Sequence, residues 1–302
     1  MSMIRHPAVY TATPLRSKLV LGKHFSYRLR DSTETRGLAG LPPLTKTVVG
    51  SVSASEYTDP TLYQFPNDNG NTNSVSFIAQ EDEDDLYLDQ VLSLYAMEAG
   101  EQIIVACDVA FVEQRTTSGA FWSWGKATEA SQIAFEMTAA ELPTFLWRAR
   151  GAGGSSVSQD LTYVSGDTLT AFKSQGRFSV VTSIIPTSST LVDIEMRFGN
   201  GTLEGLYTYS GLDMSQGGAG ANPGISGGIS MAAFVGLSVG CQNGGSAAQH
   251  FWGRGTTEPN VGRFDVIHGW RGTYDAGLTA AVLEEMHTTN ALDYPPSLAA
   301  AP

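Results

Sequence analysis

The chain has 302 residues, 42% hydrophobic and 16% charged, with 33 glycines, a net charge of −12 and a sequence pI near 4.8. This composition excludes a disordered chain, and no apolar run approaches the ~18 residues a membrane span needs. The start, MSMIRHPAVYTATPLRSKL, lacks a signal peptide's apolar stretch, so synthesis in the cytoplasm without a signal peptide is expected.

The charge is unevenly placed. Residues 1–46 carry eight basic side chains against two acids, a net +6, whereas the other 256 residues carry ten against 28, a net −18. A positive segment on a negative body is expected to reach for an acidic partner. A body of that charge repels a phosphate backbone, so nucleic acid is not an expected partner.

Residues 1–46 read as an extended arm, interrupted by Pro14, Pro42 and Pro43. Residues 17–30, SKLVLGKHFSYRLR, roughly alternate, which predicts a strand added to another sheet. Arg16, Lys18, Lys23, Arg28 and Arg30 are the expected contacts with an acidic neighbour. Asn67-Asp68-Asn69-Gly70 is a turn signal. Glu81, Asp82, Glu83, Asp84 and Asp85 form a run of like charge, read as a solvated loop and, more sharply, as a dock for a basic arm.

From residue 47 onward the text is strands and turns. Residues 102–112 alternate Ile103, Val105, Cys107, Val109 and Phe111 against Ile104, Ala106, Asp108, Ala110 and Val112, two largely apolar faces that predict a central strand covered on both sides. Residues 132–137, 144–150, 191–198 and 263–271 alternate more cleanly, with one face for a core. In 263–271 the apolar face is Phe264, Val266, His268 and Trp270, and His268 is read as a hydrogen-bonded core histidine. Leu278, Val282 and Met286 recur at helical spacing in LTAAVLEEMHT, a helix expected to seal a sandwich. Residues 291–302 read as a tail. Cys107 and Cys241 sit in strand-like text and read as buried apolar residues, without the paired spacing of a metal site. Such a pattern specifies an all-β, antiparallel sandwich with an N-terminal arm and one short C-terminal helix.

The order of phrases from 74 to 288 resembles the concanavalin A-like or laminin G-like jelly-roll superfamily. IIVACDVAFV is followed by AFWSWG, QIAFEM, TFLWRARG, RFSVVTSII, LVDIEMRFGNG and LYTYSG, then by GLSVGC, HFWGR, VGRFDVIHGWRG and the helix. The resemblance implies a jelly-roll body over 47–290 of the kind found in bacteriophage tail, baseplate or capsid-decoration proteins.

The superfamily holds both binding modules and glycoside hydrolases, so the site must decide. Its hydrolases carry Glu-x-Asp-x-Glu on one strand face. Here that strand reads Leu191-Val192-Asp193-Ile194-Glu195, with leucine in place of the nucleophile, although a retaining mechanism needs two carboxylates in fixed roles. No catalytic residue is therefore assigned, and Asp193 and Glu195 are read as a strand's polar face. The resemblance also makes calcium the metal to consider, with Asn67, Asp68, Asn69, Asn71 and Asp213 as oxygen ligands; no cofactor is assigned. Trp252, beside Arg254, is the candidate glycan contact.

The sequence thus predicts a non-enzymatic virion component, a homo-oligomer with other particle subunits, anchored by its arm and displaying a lectin-like domain toward a host-surface glycan. The alternatives are a free glycan-binding module and a divergent polysaccharide hydrolase using Asp193 and Glu195.

Overall fold

The computed structural model describes residues 23–28, 44–49, 63–64, 74–80, 87–92, 98–110, 119–125, 132–138, 142–148, 156–174, 177–188, 190–214, 236–240, 242–243, 248–249 and 263–288. Period-two patterning places their strands in two antiparallel sheets. One runs β1 (Lys23–Arg28), β17 (Arg263–Thr273), β5 (Glu101–Ala110), β11 (Arg177–Pro186), β12 (Leu191–Gly199), β13 (Glu204–Asp213) and β10 (Thr162–Gly166), with β3 (Tyr63–Gln64) also on β17. The other runs β2 (Leu44–Val49), β4 (Ser74–Gln80), β14 (Gly236–Val239), β6 (Gly119–Gly125), β7 (Gln132–Met137), β8 (Pro143–Arg148) and β9 (Ser156–Asp160). β15 (Gln242–Asn243) and β16 (Ala248–Gln249) form a separate pair.

The core lies between the two sheets. Val192, Ile194, Met196 and Phe198 of β12 point into it with Val180 and Ile184 of β11, and meet Trp122, Phe135 and Phe145 of the second sheet. Trp122 spans the layers: its Nε1 donates to Thr182 Oγ1 at 3.0 Å, and that hydroxyl donates to the Val105 carbonyl at 3.0 Å. The bond orients a large buried ring and satisfies its indole N–H.

β5 is covered on both sides, as its two apolar faces predict. Ile103, Val105, Cys107 and Val109 join the inner core. Ile104 and Ala106 join a second cluster on the outer face, under the helix α2 (Leu278–Thr288). Leu278, Val282, Leu283 and Met286 of α2 complete that cluster with Val181, Val266 and Trp270. The helix therefore covers the back of the larger sheet.

Three details differ from the sequence reading. The face predicted for β17 is split by a bulge between Phe264 and Ile267. Phe264 and Ile267 enter the inner core, while Val266 and Trp270 turn outward to α2, because one extra residue exchanges the faces. A second helix, α1 (Tyr87–Leu92), buries Leu88, Val91 and Leu92, which recur at helical spacing.

The third concerns the arm. The strand predicted within 17–30 forms over Lys23–Arg28, but on the chain's own sheet, against β17. Gly269 of β17 makes room for it: a Cβ there would lie 2.1 Å from Phe25 Cε1, so the Phe25 ring rests on the glycine. β2 likewise pairs with β4 and crosses the expected boundary at residue 46. Within residues 1–46, then, 23–28 and 44–46 belong to the sandwich, and residues 1–22 precede its first described strand.

Candidate functional site

The two carboxylates that could carry hydrolysis lie on the outward face of β12. Alternation puts Leu191, Asp193, Glu195 and Arg197 there, all half-buried. Each acid has a partner that explains its presence. Opposite Asp193 the register of β13 shifts, so that Ser210 and Gly211 face one residue of β12. Gly211 takes a φ of +68°, which glycine adopts without steric cost. Its N–H, displaced from the ladder, donates to Asp193 Oδ1 at 2.8 Å.

Glu195 holds the helix. Thr279, in the first turn of α2 and 2% exposed, donates its hydroxyl to Glu195 Oε1 at 2.6 Å. Arg197 Nε donates to the same carboxylate and lies 3.2 Å from Thr279 Oγ1. This bond between a strand and a helix 84 residues away is strong because its acceptor is an ionised carboxylate. At the Glu195 end of this face α2 packs alongside and is tied to it through Thr279.

Other polar side chains on this sheet are similarly committed to the fold. His268 is 1% exposed, with Nδ1 2.9 Å from Ser26 Oγ of β1, the hydrogen-bonded buried histidine that the sequence predicts. Asp108 is 3% exposed and ion-paired with Arg177. Burial pushes its carboxyl above the ordinary aspartate value, and the Arg177 charge opposes that shift without cancelling it. Burial, aided by the neighbouring Asp108 charge, raises the Cys107 thiol well above its ordinary value. Cys107 is a free, fully buried thiol, as its strand text predicts, and is poorly suited to be a nucleophile.

Trp122, Trp124 and Trp270 are buried and offer no platform for a sugar. Among the described residues no group of three or more His, Cys, Asp or Glu side chains is placed to hold a metal ion. No helix among them is long and apolar enough to cross a membrane.

Of the predicted assembly contacts, Lys23 and Arg28 are the end residues of β1, register partners of Arg271 and Val266. Arg16, Lys18 and Arg30 lie outside the described residues, as do Glu81 to Asp85, Trp252, Arg254, His250, Cys241 and the Asn67–Asn71 segment. The polarity of Glu195 is legible in the strand's alternation, whereas Thr279 is not, its only signal being a hydroxyl in the apolar first turn of the helix.

No family model matches the chain. No curated protein matches it either. Among solved structures, it is similar to the Ruminococcus gnavus IT-sialidase CBM40 bound to α2,6 sialyllactose, at 14% identity and TM-score 0.38, over 61% of this chain and 84% of that one. It is similar to the CBM2 module of the evolved Dit of Lactobacillus casei BL23 phage J-1, at 10% identity and TM-score 0.39, over 84% and 99% of the two chains. A third similarity is to the enzymatically active domain of bacteriophage CBA120 tailspike protein 2, at 11% identity and TM-score 0.41, over 83% and 32%. These are loose superpositions, and function is read from this chain's own residues.

Proposed function

We propose that the protein is a non-catalytic structural and binding component of a multi-subunit particle, a virion protein of the bacteriophage type. In this reading a jelly-roll sandwich is displayed and residues 1–22 anchor it to a neighbouring subunit. The observation that carries the non-catalytic part is the engagement of both candidate carboxylates: Asp193 holds the β13 bulge and Glu195 holds α2. The anchoring part is supported by the charge split. Residues 1–22 contain three basic side chains and no acid, ahead of a body that is strongly negative.

Turnover of soluble glycans by the full chain and by Glu195→Gln tests the first part. Neither protein is expected to turn over substrate, and an activity that Glu195→Gln abolishes overturns it. Removing residues 1–22, which leaves β1 whole, tests the second: the chain is expected to fall to a monomer, and an unchanged mass overturns it. Glycan binding through Trp252 and Arg254 is tested by titrating glycans into the wild type and a Trp252→Ala variant.

A further inference from the structure

Four large apolar side chains among the described residues are exposed, and three of them, Leu142, Tyr163 and Val164, share one corner of the sandwich. There β9 passes into β10 through Leu161, whose N–H donates to the Pro143 carbonyl at 2.9 Å. Leu142 leads into β8 beside this corner: Thr144 Oγ1 lies 3.3 Å from the Leu142 carbonyl and 3.0 Å from Asp160 Oδ1. Tyr163 is fixed in place, since its hydroxyl donates to the Gly166 carbonyl at 2.7 Å and its ring meets Tyr207 edge-on at 5.6 Å. Val164 is the residue by which β10 bulges from β13, and it is 51% exposed.

β10 ends its sheet and β9 ends the other, and no described strand pairs with either outer edge. An open edge offers a row of backbone donors and acceptors to an incoming strand. The charge carried by the two strands and the turn after them is acidic. Asp160 and Glu204 are exposed and Asp167 is half-buried, and residues 156–168 contain no basic residue. Two copies of this edge laid together set acid against acid, which is destabilising. A basic strand with apolar alternation suits it.

We infer that the β9–β10 edge receives residues 1–22 of a second copy of this chain, added as a strand. This rests on the anchoring part of the proposed function and moves the dock from the 81–85 acids to this edge. Within that segment Arg16 and Lys18 meet the acids while Leu19 and Leu21 share one face for the apolar corner. β1, which follows the segment, lies at the opposite end of the same sheet from β10. Donor and acceptor are therefore different patches, so the segment is either exchanged reciprocally within a two-fold pair or passed head-to-tail around a ring or along a filament. A 22-residue extended segment reaches about 70 Å, ample to bridge two bodies.

The test uses the full chain, with mass followed by sedimentation over a range of concentrations. The variants are Arg16→Glu with Lys18→Glu in the segment, Val164→Lys with Glu204→Lys at the edge, and all four together. Each pair is expected to raise the subunit dissociation constant at least about tenfold, and the four together to regain part of the loss. Hydrogen exchange at 162–166 is expected to slow with concentration in the wild type only. Circular dichroism and melting confirm that each variant is folded, with Val164→Lys alone as the milder edge variant. If the segment pair dissociates the protein and the edge pair does not, the dock lies elsewhere and the anchoring reading stands. If the segment pair leaves assembly intact, both fail. A wild type that is monomeric throughout, with 162–166 protected, shows the chain's own segment on the edge and overturns the second copy as occupant.

Discussion

Replacing Glu195 by alanine separates a structural carboxylate from a catalytic one. The change removes an acceptor shared by Thr279 and Arg197, and leaves the Thr279 hydroxyl, 2% exposed, facing the gap. The Glu195 and Arg197 side chains are 16% and 24% exposed, so solvent screens the contact only partly. A hydrogen bond to a charged group contributes about 1.5–3 kcal/mol, and an orphaned buried hydroxyl adds to its loss. Glu195→Ala is therefore expected to destabilise by about 2 kcal/mol, near 3 °C in Tm for a chain of this size. Glu195→Gln keeps an oxygen for Thr279 and should lose about half as much. Hydrogen exchange then localises the effect, with amides of α2 exchanging faster and those of β7 unchanged. A Tm within about 1 °C of wild type for Glu195→Ala, with α2 as protected as before, refutes the assignment.

Other parts of the fold give equally direct expectations. Trp122→Phe removes the bond between the two layers and part of a buried ring, and should cost about 1–3 kcal/mol in urea unfolding. Gly269→Ala forces a methyl group into Phe25; it should destabilise by about 1–3 kcal/mol and raise exchange first in β1. Because the Asp108 carboxyl is raised in the folded state, its contribution is fully present below the ordinary aspartate value and is lost as pH rises through the folded one. The stability of wild type relative to Asp108→Asn should therefore improve as pH is lowered from 7 toward 4, and a gap that widens against wild type contradicts the assignment.

The sequence makes some of these elements legible because side-chain periodicity records burial directly. β12 alternates in text and in burial, β5 carries two apolar faces and is covered twice, and α2 buries Leu278, Val282 and Met286 as their spacing demands. Periodicity does not record which strand lies alongside. The text of β1 suits any open edge, and what fixes it to β17 is the fit of Phe25 on Gly269, a contact between residues 244 positions apart. Nor does alternation announce a bulge, so Phe264 and Val266 share a face in the text and part company in the fold. At the candidate site, the polarity of Asp193 and Glu195 is visible in sequence, but their partners, a bulged glycine and a helical threonine, come from elsewhere in the fold. The strands β9 and β10 follow the same rule. SVSQDLTYVSG has the β-branched and aromatic content of strands, yet only topology shows that it ends both sheets among the described residues.

The most direct test of anchoring is the sedimentation mass of the chain, with and without residues 1–22, at 0.1 M and 1 M salt. Between these the screening length falls from about 10 Å to about 3 Å, which removes the pull of exposed charge but not backbone pairing. The full chain is expected to assemble at low salt and to loosen only partly at high salt, while the shortened chain stays monomeric. A mass of 32.1 kDa for the full chain in both salts contradicts the account.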